Sequence, residues 1–237
     1  QGDARVALNT LELAAMLSVP DESDQRTISR QTVEEALQKK MLRYDKDGEE
    51  HYNIISALHK SLRDSDAHAS LYWLTRMLEA GEDPLYIARR LVRFASEDIG
   101  NADPQALQIT LNAKEAFHFI GLPEGKLALA QAALYLATAP KSNAVYLAYQ
   151  QAETTVRQTG SLPVPLQIRN APTKLMKNLG YGNGYKYAHN FKDALVAQEL
   201  LPQELQDKKF YQPTERGYEK IIKQRMDYIE RKKREKK

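Results

Sequence analysis

The chain contains no cysteine, which excludes a disulfide framework, a thiolate zinc site and a cysteine nucleophile together and agrees with a reducing compartment. No apolar run approaches the ~18 residues of a membrane span, and no basic segment leads into an apolar stretch as a signal peptide would, so a cytoplasmic protein with no membrane partner is expected. The phosphate cradle of P-loop ATPases, G-x-x-x-x-G-K-[ST], is missing. Its nearest approach, Gly121 to Leu127, has the two glycines one residue too close and puts Leu127 where a magnesium-binding hydroxyl belongs, so it reads as a turn between helices. Gly180, Gly182 and Gly184 alternate, but with no strand before them they describe a structural loop rather than a dinucleotide site. His51, His59, His68, His118 and His189 are scattered without the H-E-x-x-H spacing, and no metal is expected. Asp45, Asp47 and Glu50 resemble a calcium loop only with Gly48 out of place, so a solvated linker fits them better. There is no G-x-S-x-G elbow to expose a serine nucleophile.

What is present is a 237-residue chain, 42% hydrophobic, long enough to bury one good core and a small second domain. The formal charge of +3 is unevenly placed: residues from Lys208 onward carry twelve Lys and Arg against five Asp and Glu, a net of +7, which leaves −4 for the rest. Such a basic tail either steers the protein to phosphate backbones or keeps it soluble.

Apolar residues recur at three- and four-residue spacing almost throughout, and alternating strand patterns are scarce, so the fold class is all-α. A first helix is expected over Asp3 to Leu17, with Val6, Leu8, Leu11, Leu13 and Leu17 among its apolar members, and a second over Thr32 to Lys40, with Val33, Ala36 and Leu37 inward. The polar stretch Asp45 to Glu50 marks a domain boundary. Beyond it Asp66, Asp83-Pro84 and Asp103-Pro104 are helix starts, because Asp satisfies an orphan amide at the N-cap and Pro at the first helical position sacrifices no needed donor. After Pro84, the stripe Leu85, Ala88, Leu91, Val92, Ala95 and Ile99 should face the core. Lys126 to Ala137 is apolar nearly all round, as in a central helix or one buried between subunits. Helices follow over Asn143 to Gln158 and around Tyr218, Ile221, Ile222, Met226 and Ile229, while Gly180 to His189 reads as loop.

Gly2-Asp3-Ala4-Arg5-Val6-Ala7-Leu8-Asn9 resembles the sensor 2 motif of clamp-loader-type AAA+ ATPases. Specificity comes from its company: Tyr44 to Gly48, His51 to Ser61, the run Ala95-Ser96-Glu97-Asp98-Ile99-Gly100-Asn101-Ala102-Asp103-Pro104, the run Arg169-Asn170-Ala171-Pro172-Thr173-Lys174-Leu175-Met176-Lys177, Gly180-Tyr181-Gly182 and Tyr185 to His189. Together these resemble the replication-associated recombination protein A family (RarA or MgsA) over the whole chain. The resemblance implies a small AAA+ lid remnant over residues 1–44 and, over residues 45–237, a helical oligomerisation domain like a clamp-loader collar, ending in the basic tail. It implies that the chain starts inside the lid, as an excised segment would, and that a parent using ATP and Mg2+ supplies the hydrolytic core, leaving this part inactive alone with neither ligand bound. Arg5 is then the sensor 2 arginine that reaches the nucleotide phosphates, a task suited to a permanently charged, forked guanidinium. The implied setting is DNA replication, recombination and repair at stalled forks near the bacterial nucleoid, as a homotetramer, on single-stranded or forked DNA, with single-stranded DNA-binding protein as a partner.

Candidate assembly contacts are Leu71, Tyr72 and Trp73, since an aromatic pair with a tryptophan anchors interfaces, and a place in the core suits them equally. Arg169, Lys174 and Lys177 near a proline turn, followed by Lys186 among Tyr181, Tyr185 and Tyr187, form a basic and aromatic mixture that binds single strands by phosphate contact and stacking. The same residues also suit a loop clamped onto the core by tyrosine packing. A stand-alone helical adaptor binding nucleic acid or a replication protein, without ATPase activity, is the alternative function class.

Overall fold

The computed structural model describes residues 4–20, 25–41 and 49–236; within them, the side chains of residues 4–6, 9, 13, 16, 37–41 and 49–51 lie outside the description. The described residues form ten α-helices and no β-strand, with one isolated bridge between Pro20 and Arg26. Contacts divide the chain into two compact units, Gln1–Phe94 with Gln108–Ala139, and Ala95–Leu107 with Pro140–Lys237. Of the boundary expected over Asp45 to Glu50, residues 45–48 lie outside the described residues, and Glu49 and Glu50 already belong to a helix.

The first unit begins with a helical pair, α1 (Ala4–Leu17) and α2 (Arg30–Met41). Helix α2 starts two residues earlier than its apolar pattern predicts, because the Ser29 hydroxyl accepts the Thr32 amide and caps it. The pair closes on Ala14 and Ala36, flanked by Leu17 and Val33. The Arg26 guanidinium donates to the Ala15 and Ser18 carbonyls and so covers the negative end of α1. Leu8 and Leu11, expected in the core, face outward.

Helices α3 (Glu49–Arg63), α4 (Ala67–Glu79) and α5 (Pro84–Phe94) follow, then α6 (Gln105–Ile120) and α7 (Lys126–Thr138). All three expected caps form: Asp66 accepts from Ala69 N at 2.8 Å, Asp83 from Leu85 N at 2.9 Å and Asp103 from Gln105 N at 3.0 Å. Helix α7 packs against α3, α4 and α5, burying Leu129, Ala132, Ala133 and Leu136 against Leu58, Leu62, Leu74, Met77, Ile87 and Leu91. Its alanines let neighbouring backbones approach, and each fully buried leucine contributes about 1.5–3 kcal/mol. In α5 the buried face is Ile87, Ala88, Leu91 and Phe94, one position round from the expected stripe, so Leu85 and Val92 sit at its margin.

In the second unit the motif Ala95 to Pro104 winds as a π-helical turn, Ala95–Ile99, then a 3₁₀ turn, Gly100–Ala102. Helix α8 (Ala144–Thr159) packs on both turns. A loop region with one short helix, α9 (Lys174–Asn178), leads to the final helix α10 (Glu219–Arg234). Gly217, at φ +51°, is required where α10 starts, because a Cβ there would collide with the Ala102 carbonyl and the Pro140 ring.

Candidate nucleic-acid interface

The loops between α8 and α10 have little apolar core, and hydrogen bonds hold them. Thr173 caps α9 by accepting the Met176 amide, Tyr181 N donates to Met176 O, and Gly182 N donates to Leu166 O at 2.9 Å. Arg169 locks this frame: its Nε donates to Val164 O at 2.6 Å, its guanidinium bonds the Tyr181 hydroxyl at 3.2 Å, and it stacks over the Tyr181 ring at 5.0 Å. The Gln198 side chain brackets the backbone of Lys186, accepting from its amide and donating to its carbonyl.

On this frame Lys174, Lys177 and Lys186 are exposed and make no ion pair among the described residues. The sequence grouped four cations, and the structure separates them. Arg169 is half-buried and engaged with Val164 and Tyr181, while the three lysines are exposed. The tyrosines divide likewise: Tyr181 is held by Arg169, Tyr187 tilts against His189 at 5.2 Å, and Tyr185 is half exposed.

Much of the basic tail is engaged with its own neighbours at the surface. Lys209 pairs with Glu230 at 2.8 Å, Lys223 with Glu215 and Lys232 with Glu235, while Arg225 and Arg231 flank the Tyr228 ring. Lys236 donates to the carbonyls of Lys192 and Leu195, fastening the end of α10 to the preceding turn.

At the start of α10 lies a residue the sequence reading passed over. Glu219 is fully buried, and its carboxylate accepts Ser142 Oγ at 2.7 Å, Thr214 N at 2.8 Å, Thr214 Oγ1 at 2.7 Å and Tyr211 OH at 3.0 Å. Asn101 donates to the same tyrosine oxygen at 3.2 Å. Burial pushes the Glu219 carboxyl up, but the four donors outweigh it and hold it below the ordinary glutamate value. Burial raises the Tyr211 phenol, the Asn101 amide draws it back, and Glu219 raises it again, so it stays protonated as a donor. A glutamate amid an apolar helix stripe gives no sequence sign of burial; the nearest clue is a carboxylate in a helix's first turn, favoured there by the dipole.

The other sequence candidates are placed as follows. Leu71 and Tyr72 are exposed on α4, and Trp73 is half-buried beneath Arg76 at 5.4 Å, with Tyr72 edge-on to its ring; the buried residues of α4 are instead Ser70, Leu74, Met77 and Leu78. Phe119 and Leu127, at the turn joining α6 to α7, are 91% and 76% exposed, an apolar tip that the sequence reading missed. Arg5 lies on α1, and its side chain is outside the description. In the turn from Gly121 to Leu127, Gly125 N donates to Gly121 O at 2.7 Å, so its amide is spent within the turn. The Lys126 and Leu127 amides are likewise bonded to Pro123 and Glu124, so this turn does not present the free amides of a phosphate cradle. Among the described residues no group of three or more His, Asp or Glu is placed to hold a metal ion, and no helix is long and apolar enough to cross a membrane.

Comparison with known proteins bears on the whole chain. Residues 64–230 match the family described as MgsA AAA+ ATPase C terminal, and residues 1–63 match the AAA C-terminal domain. The chain belongs to the MgsA family of AAA+ ATPases. It is 51% identical over 228 residues to replication-associated recombination protein A of Coxiella burnetii, covering 96% of this chain and 52% of that protein. The same protein of Escherichia coli K12 is 46% identical, covering 96% of this chain and 51% of its own length. ATPase WRNIP1 of Dictyostelium discoideum is 43% identical, over 89% of this chain and 26% of that protein. The chain therefore spans about half the length of the bacterial relatives it matches. Both the loop frame and the Glu219 network lie within the span matched to the MgsA family, and Asn101 ties the run Ala95 to Pro104 directly into that network.

Proposed function

We propose that this chain is the lid and assembly portion of an AAA+ ATPase acting in DNA replication, recombination and repair at stalled forks, and that its loop frame binds single-stranded or forked DNA. The observation that carries the reading is the set of exposed, unpaired Lys174, Lys177 and Lys186 beside exposed Tyr185 on a hydrogen-bonded frame. Lysines on a stiff backbone contact phosphates at low ordering cost, and an exposed ring adds sequence-tolerant stacking. On this reading Arg5 serves as the sensor 2 arginine toward ATP and Mg2+ bound by residues outside this chain, so the chain alone does not hydrolyse ATP. Homotetramer contacts fall to exposed Leu71 and Tyr72 with half-buried Trp73 beside them, an aromatic pair of the kind that anchors interfaces. The setting is the bacterial cytoplasm at the replication fork, with single-stranded DNA-binding protein as a partner. The test is fluorescence anisotropy of a labelled single-stranded oligonucleotide titrated with the chain at several salt concentrations. Binding that weakens steeply with salt is expected; absent binding, or affinity indifferent to salt, overturns the DNA reading.

A further inference from the structure

Beside Arg169 the loop frame leaves an open groove of about 570 Å³, lined among others by Gln167, Ile168, Asn170, Tyr185 and Leu200. Two of these side chains stand out for what they do not touch. The Asn170 amide makes no hydrogen bond and the Tyr185 ring no ring contact among the described residues, although both are polar or aromatic groups facing one groove. Their neighbours are committed elsewhere: Gln167 donates to the Glu199 carbonyl at 2.8 Å, which leaves its own amide oxygen as an acceptor, and Arg169 keeps guanidinium N–H donors beyond the two it uses.

The groove thus offers a free aromatic face with Ile168 and Leu200 as apolar company, and a mixed donor and acceptor edge from Asn170, Gln167 and Arg169. A planar heterocycle carrying hydrogen-bonding groups on its rim satisfies both at once, and the volume lies in the range of small-molecule sites. Lys186 directly follows Tyr185, and α9 with Lys174 begins three residues after Ala171, another lining residue, so cations flank the groove in sequence on both sides. We propose that this groove holds one unstacked nucleobase of a single strand, with Tyr185 as the stacking platform and Asn170 as the edge-reading amide. The proposal rests on the DNA-binding reading above and narrows it. Of three neighbouring tyrosines only Tyr185 stacks a base, and the single strand is held by a base as well as by its phosphates.

The test compares two labelled oligodeoxynucleotides of equal length and charge, one with all its bases and one abasic throughout, titrated with the whole 237-residue chain at one salt concentration. The strand with bases is expected to bind about five- to a hundred-fold more tightly. Tyr185→Ala should lower that affinity to the abasic level, Tyr185→Phe should retain it, and Asn170→Ala should fall between the two. Equal affinity for both strands, or a Tyr185→Ala chain that still favours bases, overturns the base site while leaving phosphate contact standing. Failure to bind either strand removes the DNA reading itself and the base site with it.

Discussion

Glu219 accepts the hydroxyl of Ser142 at 2.7 Å across 77 residues of chain, and through this contact the start of α10 is joined to the loop leading into α8. Four donors converge on a carboxylate with no solvent exposure, three on Oε2 and one on Oε1, and together they offset the cost of burying its charge. Removing the carboxylate leaves buried Ser142 and partly buried Thr214 and Tyr211 with unmatched donors. Glu219→Ala should therefore lower the unfolding free energy by on the order of 3 kcal/mol, read from urea denaturation followed by circular dichroism. A midpoint within error of wild type would contradict the central place given to this residue.

The same network makes the second unit acid-sensitive in a defined direction. The folded-state carboxyl sits below its unfolded value, so the unfolded chain binds the proton first. The stabilisation is present above the ordinary glutamate value of about 4.3 and is lost as pH falls through the lower folded value. The stability gap between wild type and Glu219→Gln should be largest at neutral pH and shrink at pH 3. A gap that widens on acidification would reverse the assigned sign.

Arg169 and the three lysines should separate in their effects. Arg169→Ala removes two hydrogen bonds and the stacking on Tyr181, so residues 164–181 should exchange amide protons faster, an opening of roughly 1–3 kcal/mol. Lys174→Ala should leave exchange in that segment unchanged. Equal protection in both variants would remove Arg169 from the clamp.

Tyr72 lies open on α4, and Phe119 and Leu127 form a second apolar tip, so the proposed assembly has two candidate surfaces. Light scattering of the chain at micromolar concentration should give a mass above that of a monomer, and Tyr72→Ala with Trp73→Ala should lower it if α4 carries the contact. A monomeric wild-type chain would contradict the assembly role of this half.

Incubated with ATP, Mg2+ and single-stranded DNA, the chain should release no phosphate above background. The turn from Gly121 to Leu127 spends the Gly125 amide on Gly121 and the Leu127 amide on Glu124, so it offers no cradle for phosphate. Turnover would show a phosphate site that the sequence does not disclose.

Helix existence was legible because Asp66, Asp83 and Asp103 announce starts through side-chain chemistry that depends on neighbours only. The family was legible from its motifs, which the comparison with known proteins bears out. Which face of a helix is buried was less so. In α5 Leu85 and Ile87 are equal in apolarity, and only packing against α7 selects Ile87. Leu8 and Leu11 read as core from their spacing, yet face outward because α1 packs on α2 through Ala14. At the candidate site, composition brought Arg169, Lys174, Lys177 and Lys186 together but could not tell a cation committed to Val164 and Tyr181 from three left exposed. That distinction rests on hydrogen bonds made in the folded loop. Glu219 was invisible for the same reason, since its partners lie at Ser142, Tyr211 and Thr214 and only the fold collects them.

The most direct test of the account is the salt dependence of single-strand binding by wild type and by the Lys174→Ala, Lys177→Ala, Lys186→Ala triple variant. Three lost phosphate contacts should reduce the slope of log K against log salt by about 2, with the thermal unfolding curve unchanged. A triple variant that binds with wild-type affinity and wild-type slope would contradict the claim that these lysines form the nucleic-acid interface.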